Sequence, residues 1–493
     1  MADSQPGPLI DHSRWAGRLF GGADGIWYTA SEIRDVIEPA TGERLAQVGL
    51  ARAADVARAA KAAAAAQPAW AALAPRERAA ILRRAAAAFE RDLEQTARYI
   101  ARETGGILAK AQLEVAEAAT QLHIAAGLPL QPHGLVLPTA AGKHSYARRV
   151  PHGVVGVISP FNFPLILSMR SVAPALAMGN AVVLKPDPQT PISGGFVIAR
   201  AFEEAGLPPG VLQVLPGDAD AGAAVVEAPE VRMIAFTGST AAGRKVGELA
   251  GRLLKKVSLE LGGKNTLIVL DDADLDIAAS NAAFGAFFHQ GQICMATGRI
   301  VAHRKIVDEL TKRLVEKANH LPVGDPASGT VALGPMINAR QLQNCDAIVR
   351  ASVEAGAVLE AGGTHERLFY KPTVLSNVQP GMRAFDEEIF GPVAVITPFD
   401  SDDEAVALAN RTEYGLSCAV IGASAQRASA IGERLKCGLL HINGQTVADE
   451  CVNPFGGRGD SGNGGSMGGP ADVDEYTQWQ WVTVREAAER TPF

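Results

Sequence analysis

The chain has 493 residues, room for roughly three folding units at about 150 residues each. Apolar residues make up 47% and charged residues 20%, which excludes disorder as the main state. Lys and Arg total 46 against 53 Asp and Glu, and this net charge of −7 argues against nucleic acid as the main partner.

The first 50 residues read as short strands and turns. Residues 51–67 are alanine-rich, and their helix propensity with the flanking Trp70 predicts a packed helix. Pro75 opens a second helix, with Ile81, Leu82, Ala85, Phe89 and Leu93 at helical spacing and Gly105–Gly106 as its stop. Another helix follows to about Ala126. Residues 132–151 read as two strands joined at 140–143, an excursion from the main core. Beyond them strands and helices alternate. AVVLK (181–185), VLQVLP, RMIAF (232–236), VSLEL and NTLIVL are strands; 193–205, 240–250, about 274–289 and 307–320 are helices. Such alternation implies parallel sheets covered on both faces. The last segment, 472–485, is strand-like and carries Tyr476, Trp479 and Trp481. An exposed aromatic strand favours a subunit contact over docking on its own domain.

Five cysteines stand at 294, 345, 418, 437 and 451, an odd number without a C-x-x-C pair. That speaks against a disulfide framework and against a metal site, and for a reducing cytoplasm. The N-terminus has no basic region followed by an apolar core, so no secretory signal is expected. The most apolar stretch, 154–184, is interrupted by Pro160, Asn162, Pro164, Arg170, Pro174 and Asn180. A membrane span needs about 20 uninterrupted apolar residues, so this stretch reads as buried core.

Four pieces carry candidate chemistry. In RMIAFTGSTAAGRKVG, Gly238 turns a strand into a helix that Ser239 can cap. Free N–H groups there favour a phosphate, although close packing explains the small residues equally well. In FHQGQICMATGR, Cys294 lies between glycines near the end of a predicted helix, either a nucleophile or a small buried hydrophobe. LELGGKN places Glu260 at the carboxyl end of a strand, where ligands bind in parallel sheets, or where a salt bridge forms. SPFNFP sets Asn162 among aromatic rings and prolines, where its amide must find partners, structural or catalytic.

Taken together with LKPDPQTP (184–191), EEIFGPV (387–393) and NPFGG (453–457), these motifs make the chain resemble the NAD(P)-dependent aldehyde dehydrogenase superfamily over nearly its full length. ISPFNFPLILSMRSVAPALAMGN, HINGQT and DEYTQWQWVTV bring it nearest the benzaldehyde dehydrogenase group. The resemblance implies an α/β fold of two doubly wound parallel-sheet domains and a β oligomerisation arm. The dinucleotide-binding domain would take 1–129 and 152–262, the catalytic domain 263–460, and the arm 130–151 and 470–493. A homodimer or homotetramer would form through that arm.

By the same resemblance Cys294 is the nucleophile that adds to the aldehyde as a thiohemiacetal. The Asn162 amide and the Cys294 N–H form the oxyanion hole. After hydride transfer to the nicotinamide a thioester remains, and Glu260 activates water to release the acid. Lys185 holds the adenosine ribose, Gly238 and Ser239 the pyrophosphate, Glu388 the nicotinamide ribose, and Phe390 packs near that ring. Ser159 and Phe161 belong to the same cofactor set. Phe163, Ile166, Leu167, Arg170, Phe288, Ile293, Met295 and Phe455 line the substrate pocket, a wall suited to a flat ring.

Three departures stand out. Pro188 occupies the place of a glutamate that favours NAD, so NAD is expected and NADP remains admissible. Gly459 and Ser466 occupy the places of a lysine and a glutamate near the catalytic base. Arg170 replaces a tryptophan, and pairing with a protein acid is favoured over pairing with a ring substituent. The competing readings are an aliphatic aldehyde or semialdehyde dehydrogenase, a CoA-acylating enzyme, against which Glu260 argues, and a non-catalytic scaffold, against which Cys294, Glu260 and Asn162 argue.

Overall fold

The computed structural model describes residues 7–493 apart from 489 and 492. Residues 1–6 of the expected first domain, and 489 and 492 of the expected arm, lie outside the described residues. Two seven-stranded sheets dominate. The first runs in the order Lys256–Glu260, Val231–Thr237, Val154–Ile158, Ala181–Lys185, Leu212–Val214, Arg18–Gly21, Ile26–Thr29. Its first five strands are parallel, and Arg18–Gly21 pairs antiparallel with both of its neighbours. The second runs Val358–Ala361, Thr373–Ser376, Val393–Phe399, Thr297–His303, Asn265–Val269, Ser417–Ile421, Leu439–Ile442. It is parallel except at its first strand.

The central strands are buried along their whole length, which explains the unbroken apolar runs of Val154–Ile158, Ala181–Lys185, Asn265–Val269 and Ser417–Ile421. In the first sheet the strand order reverses between Val154–Ile158 and Val231–Thr237. The crevice at the carboxyl ends of those two strands is where a doubly wound sheet receives its ligand.

The alanine-rich helix extends over Ala53–Ala72, with Ala59, Ala60 and Ala63 fully buried and Trp70 Nε1 donating to Leu176 O at 3.0 Å. The single helix expected from Pro75 to Gly105 is two helices, Pro75–Arg91 and Leu93–Thr104. The break falls at Asp92, whose backbone leaves the helical region while its carboxylate accepts from Leu9 N at 2.7 Å. A contact 83 residues away has overridden a continuous local pattern. Helix Val307–His320 has the expected bounds.

A three-stranded antiparallel sheet projects from this body, with Thr477–Arg485 against Lys143–Pro151 and Gly134–Val136 beyond it. The strand-like segment expected from 472 begins instead with a short helix, Ala471–Glu475. Asn180 roots the arm. Its Nδ2 donates to Tyr476 O at 2.9 Å, and its Oδ1 accepts from Gly153 N at 3.1 Å. Among the described residues no helix is long and apolar enough to cross a membrane.

Candidate active site

The site forms where the first sheet's carboxyl ends meet the loops that lead into the second sheet. Chain geometry delivers Cys294 by an abrupt reversal. The helix expected over 274–289 ends at Phe287, and His289 and Gln290 follow at φ of 48° and 55°. Left-handed backbone is costly for such residues, so the surroundings must hold it. Gln290 Nε2 does so by donating to Gly105 O at 2.8 Å and Pro335 O at 2.7 Å. Gln292 Oε1 accepts from Ile337 N at 3.1 Å. Beyond the reversal, Asn265 Nδ2 donates to Cys294 O at 2.7 Å and Ala296 O at 2.8 Å, and its Oδ1 accepts from Ser417 N at 2.9 Å. Cys294 is therefore not on a helix but on a loop clamped from both sides.

Asn162 stands on the opposite wall, just before helix Pro164–Ala177. One of its amide hydrogens goes to Gln292 O, with N···O 2.9 Å. That bond ties the asparagine to the nucleophile loop and leaves its second N–H to act. The Asn162 backbone carbonyl accepts from Lys110 Nζ at 2.8 Å. Lys110 also meets Glu114 Oε2 at 2.5 Å, while Glu114 Oε1 accepts from Leu165 N at 2.7 Å. Both side chains of this i,i+4 pair are fully buried. Replacing Lys110 with methionine should strand the Glu114 charge and destabilise the protein by about 3–5 kcal/mol. A denaturant midpoint equal to that of the wild type would remove the pair from the support of Asn162.

Asn162, Cys294 and all eight expected pocket residues line one cavity of about 180 Å³, along with Leu113, Phe284 and Val447. A dry cavity of about 150 Å³ suffices for one benzene ring. Arg170 is buried, ion-paired with Asp449, and lies 4.7 Å from the Phe455 ring centre. The protein acid favoured for it from the sequence is thus Asp449. Glu260 is buried at the end of its strand, outside the cavity lining, with both carboxyl oxygens lacking a hydrogen-bond partner among the described residues. Burial drives its pKa well above the ordinary value. Arg170 opposes this, and the carboxylates of Glu475 and Asp449 reinforce it. Ser466 supplies no carboxylate here, and Glu475 and Asp449, from other parts of the chain, act on Glu260 instead. Burial likewise pushes the Cys294 thiol up to about 12, with Glu388, Glu260 and Asp449 adding to the effect. The resting thiol is neutral and needs a base.

The cofactor candidates fall in two groups. Lys185 ends strand Ala181–Lys185, and Gly238 and Ser239 follow the carboxyl end of Val231–Thr237, which borders the crevice. Ser239 caps helix Thr240–Arg252 by accepting from Ala242 N at 3.3 Å, and that helix has no acidic residue in its first turn. An anion is welcome at such an end. Lys185 is buried, and burial lowers its pKa against the pull of Asp187, Asp218 and Asp220. Glu388 and Phe390 line a narrow cleft with Gly263, Lys264 and Ile293. Glu388 Oε1 accepts from Gly263 N at 2.9 Å, and burial lifts its pKa to about 7. Phe390 sits at a φ of 53°, and its ring meets Phe161 edge-on at 6.0 Å. Ser159 is differently engaged. Its hydroxyl is 2.7 Å from Ser168 Oγ, which bonds on to Gly194 O, so it fastens the helix to the sheet. A buried cation, a helix N-terminus with no acidic residue in its first turn and a buried carboxylate are groups with the chemistry to hold the phosphates and riboses of a dinucleotide.

A model of the aldehyde dehydrogenase family matches residues 27–482. The chain belongs to the aldehyde dehydrogenase family. Relatives of this aldehyde dehydrogenase include a vanillin dehydrogenase from an Amycolatopsis species, 54% identical over 98% of this chain and 100% of that one. A benzaldehyde dehydrogenase (NAD⁺) from Pseudomonas putida is 48% identical over 97% of this chain and 98% of its own. Among solved structures, betaine aldehyde dehydrogenase from Staphylococcus aureus in complex with NAD⁺ superposes with a TM-score of 0.94 at 28% identity, covering 98% of this chain and 97% of that one. An NADP-dependent enzyme from E. coli gives 0.92 at 34% identity, covering 97% and 100%.

Sequence reasoning missed Lys110, Glu114 and Asn265, which hold the two sides of the site. Their signals were slight: an i,i+4 pair on a helix, and an asparagine directly after LELGGK. It also missed Lys264, which is buried, has no partner for its Nζ among the described residues, and has its pKa lowered to about 7 by burial.

Proposed function

We propose that this aldehyde dehydrogenase oxidises an aromatic aldehyde to its carboxylic acid with a nicotinamide dinucleotide. The observation that carries the reading is one cavity in which a thiol and a side-chain amide face walls of Phe163, Phe288, Phe455 and aliphatic residues. The vanillin and benzaldehyde dehydrogenases named above support the same substrate class.

Cys294 Sγ adds to the carbonyl carbon after losing its proton to Glu260, the buried carboxylate whose charge it feels. The free Asn162 N–H and the Cys294 backbone N–H take the oxyanion. NAD would supply the hydride acceptor when bound; Lys185, Gly238, Ser239 and Glu388 would hold it, and Phe161 and Phe390 would pack near its ring. The cysteine is left acylated. Glu260, having passed the thiol proton on to solvent, then draws a proton from water; the hydroxide adds to the thioester, the C–S bond breaks to give the acid, and Glu260 returns its proton to the sulfur to restore the free thiol. Pro188 brings no charge against a 2′-phosphate, so NADP is admitted as well.

The first sheet with its helices serves the dinucleotide and the second the nucleophile. The projecting three-stranded sheet is the oligomerisation arm of a homodimer or homotetramer, supported by the exposed Trp479 and Trp481 on its outer strand. Five free thiols support a cytoplasmic location. Incubation with benzaldehyde and NAD should give one benzoate for each reduced nicotinamide. Reduction only after coenzyme A is added would replace hydrolysis by acyl transfer to a thiol.

A further inference from the structure

Glu260 is buried and does not line the substrate cavity, so the thiol proton it takes needs a way out of its own. Its strand, Lys256–Glu260, forms one edge of the first sheet, and alternate residues of a strand share a face. Lys256, Ser258 and Glu260 therefore stand in one row. Lys256 is one-third exposed, whereas Ser258 and Glu260 are buried. Helix Ala471–Glu475 meets this row at its outer end, with Glu475 Oε2 3.3 Å from Lys256 Nζ.

Inward from that ion pair the oxygens are unpaired. Ser258 Oγ, Glu475 Oε1 and both Glu260 carboxyl oxygens are buried without a hydrogen-bond partner among the described residues. Polar atoms this deep are ordinarily bonded to protein or to ordered water. Gly465 keeps room between two of them. A Cβ at this position would lie 3.1 Å from Ser258 Oγ and 3.5 Å from Glu475 Oε1, so both oxygens face the same small space. Glu260 also feels the Glu475 charge, which raises its proton affinity.

We propose that Ser258 and Glu475 form the proton exit from Glu260. The protonated Glu260 carboxyl donates to Ser258 Oγ, directly or through one water. Ser258 gives its own hydrogen to Glu475 Oε1 through the space that Gly465 leaves, and Glu475 releases the proton to solvent beside Lys256. Only O–H bonds form and break, and Glu260 is left ionised for the attack of water. Neither residue touches the substrate; both act on turnover through Glu260. The exit rests on the reading of Glu260 as the base.

Stopped-flow absorbance of reduced nicotinamide, with benzaldehyde and NAD, tests it. The first hydride transfer needs Glu260 only to accept a proton, and deacylation needs that proton gone. Glu475→Gln should keep the first-turnover rate within about twofold of the wild type and lower kcat by about tenfold or more. A burst of one reduced nicotinamide per site should then precede a slow steady state. Ser258→Ala should behave in the same way. So should Gly465→Ala, which changes no titratable group and sets a methyl between the two oxygens. Purely structural damage would slow both phases together. A wild-type kcat in Glu475→Gln and Gly465→Ala, or equal losses in both phases, overturns the exit. Normal turnover in Glu260→Gln overturns instead the reading of Glu260 as the base.

Discussion

Cys294→Ala should lower turnover by on the order of 10⁴-fold or more, because Cys294 supplies the only thiol or hydroxyl among the described residues that line the cavity. The remaining cysteines are buried, and none of them lines the cavity. The loop that presents position 294 is held by Asn265 and Gln290 through main-chain carbonyls, so the substitution removes sulfur without releasing the fold. Dinucleotide binding, followed by fluorescence titration, should persist. Turnover within tenfold of the wild type would show that the cysteine is not the nucleophile.

Glu260→Gln should lower kcat by about 10²–10⁴-fold and let the acyl-enzyme accumulate. The carboxylate is buried, with no hydrogen-bond partner for its oxygens among the described residues, and burial keeps it basic. Glutamine matches its shape and cannot take a proton. Intact-mass measurement after mixing with benzaldehyde and NAD should find the enzyme heavier by one benzoyl group. Normal turnover with no adduct would remove Glu260 from deacylation. The same raised pKa fixes the sign of the pH dependence. The base works only when ionised, so kcat of the wild type should climb as pH rises through that pKa and fall away below it. In Glu260→Gln this limb should vanish.

Strands such as Val154–Ile158 and Asn265–Val269 were legible because burial on both faces writes an unbroken apolar run into the sequence. Helix Val307–His320 was legible because one face is apolar and its end coincides with the loss of that pattern. What stayed hidden depends on distant partners. The bend at Asp92 answers to Leu9, and the reversal at His289–Gln290 answers to Gly105 and Pro335. Neither leaves a mark in its own segment. The site divides in the same way. Cys294, Glu260 and Asn162 were legible through the family resemblance of the motifs that hold them, since each residue read by itself left a structural alternative open. Asp449, the partner of Arg170, lies 279 residues away in an unremarkable stretch, and only the folded chain joins them. The Lys110–Glu114 pair shows the limit most plainly, since an i,i+4 pair of this type on a helix is ordinarily a surface feature. Here it is the buried support of Asn162.

The central claim is oxidation of an aromatic aldehyde, and steady-state absorbance at the reduced-nicotinamide band tests it most directly. The wild-type protein is assayed with benzaldehyde and with a long aliphatic aldehyde, each with NAD and with NADP. The account expects reduction with benzaldehyde at a kcat/KM at least about tenfold above that for the aliphatic chain, because an aromatic-lined cavity near ring size favours a flat ring. A preference for the aliphatic aldehyde with both cofactors would contradict it.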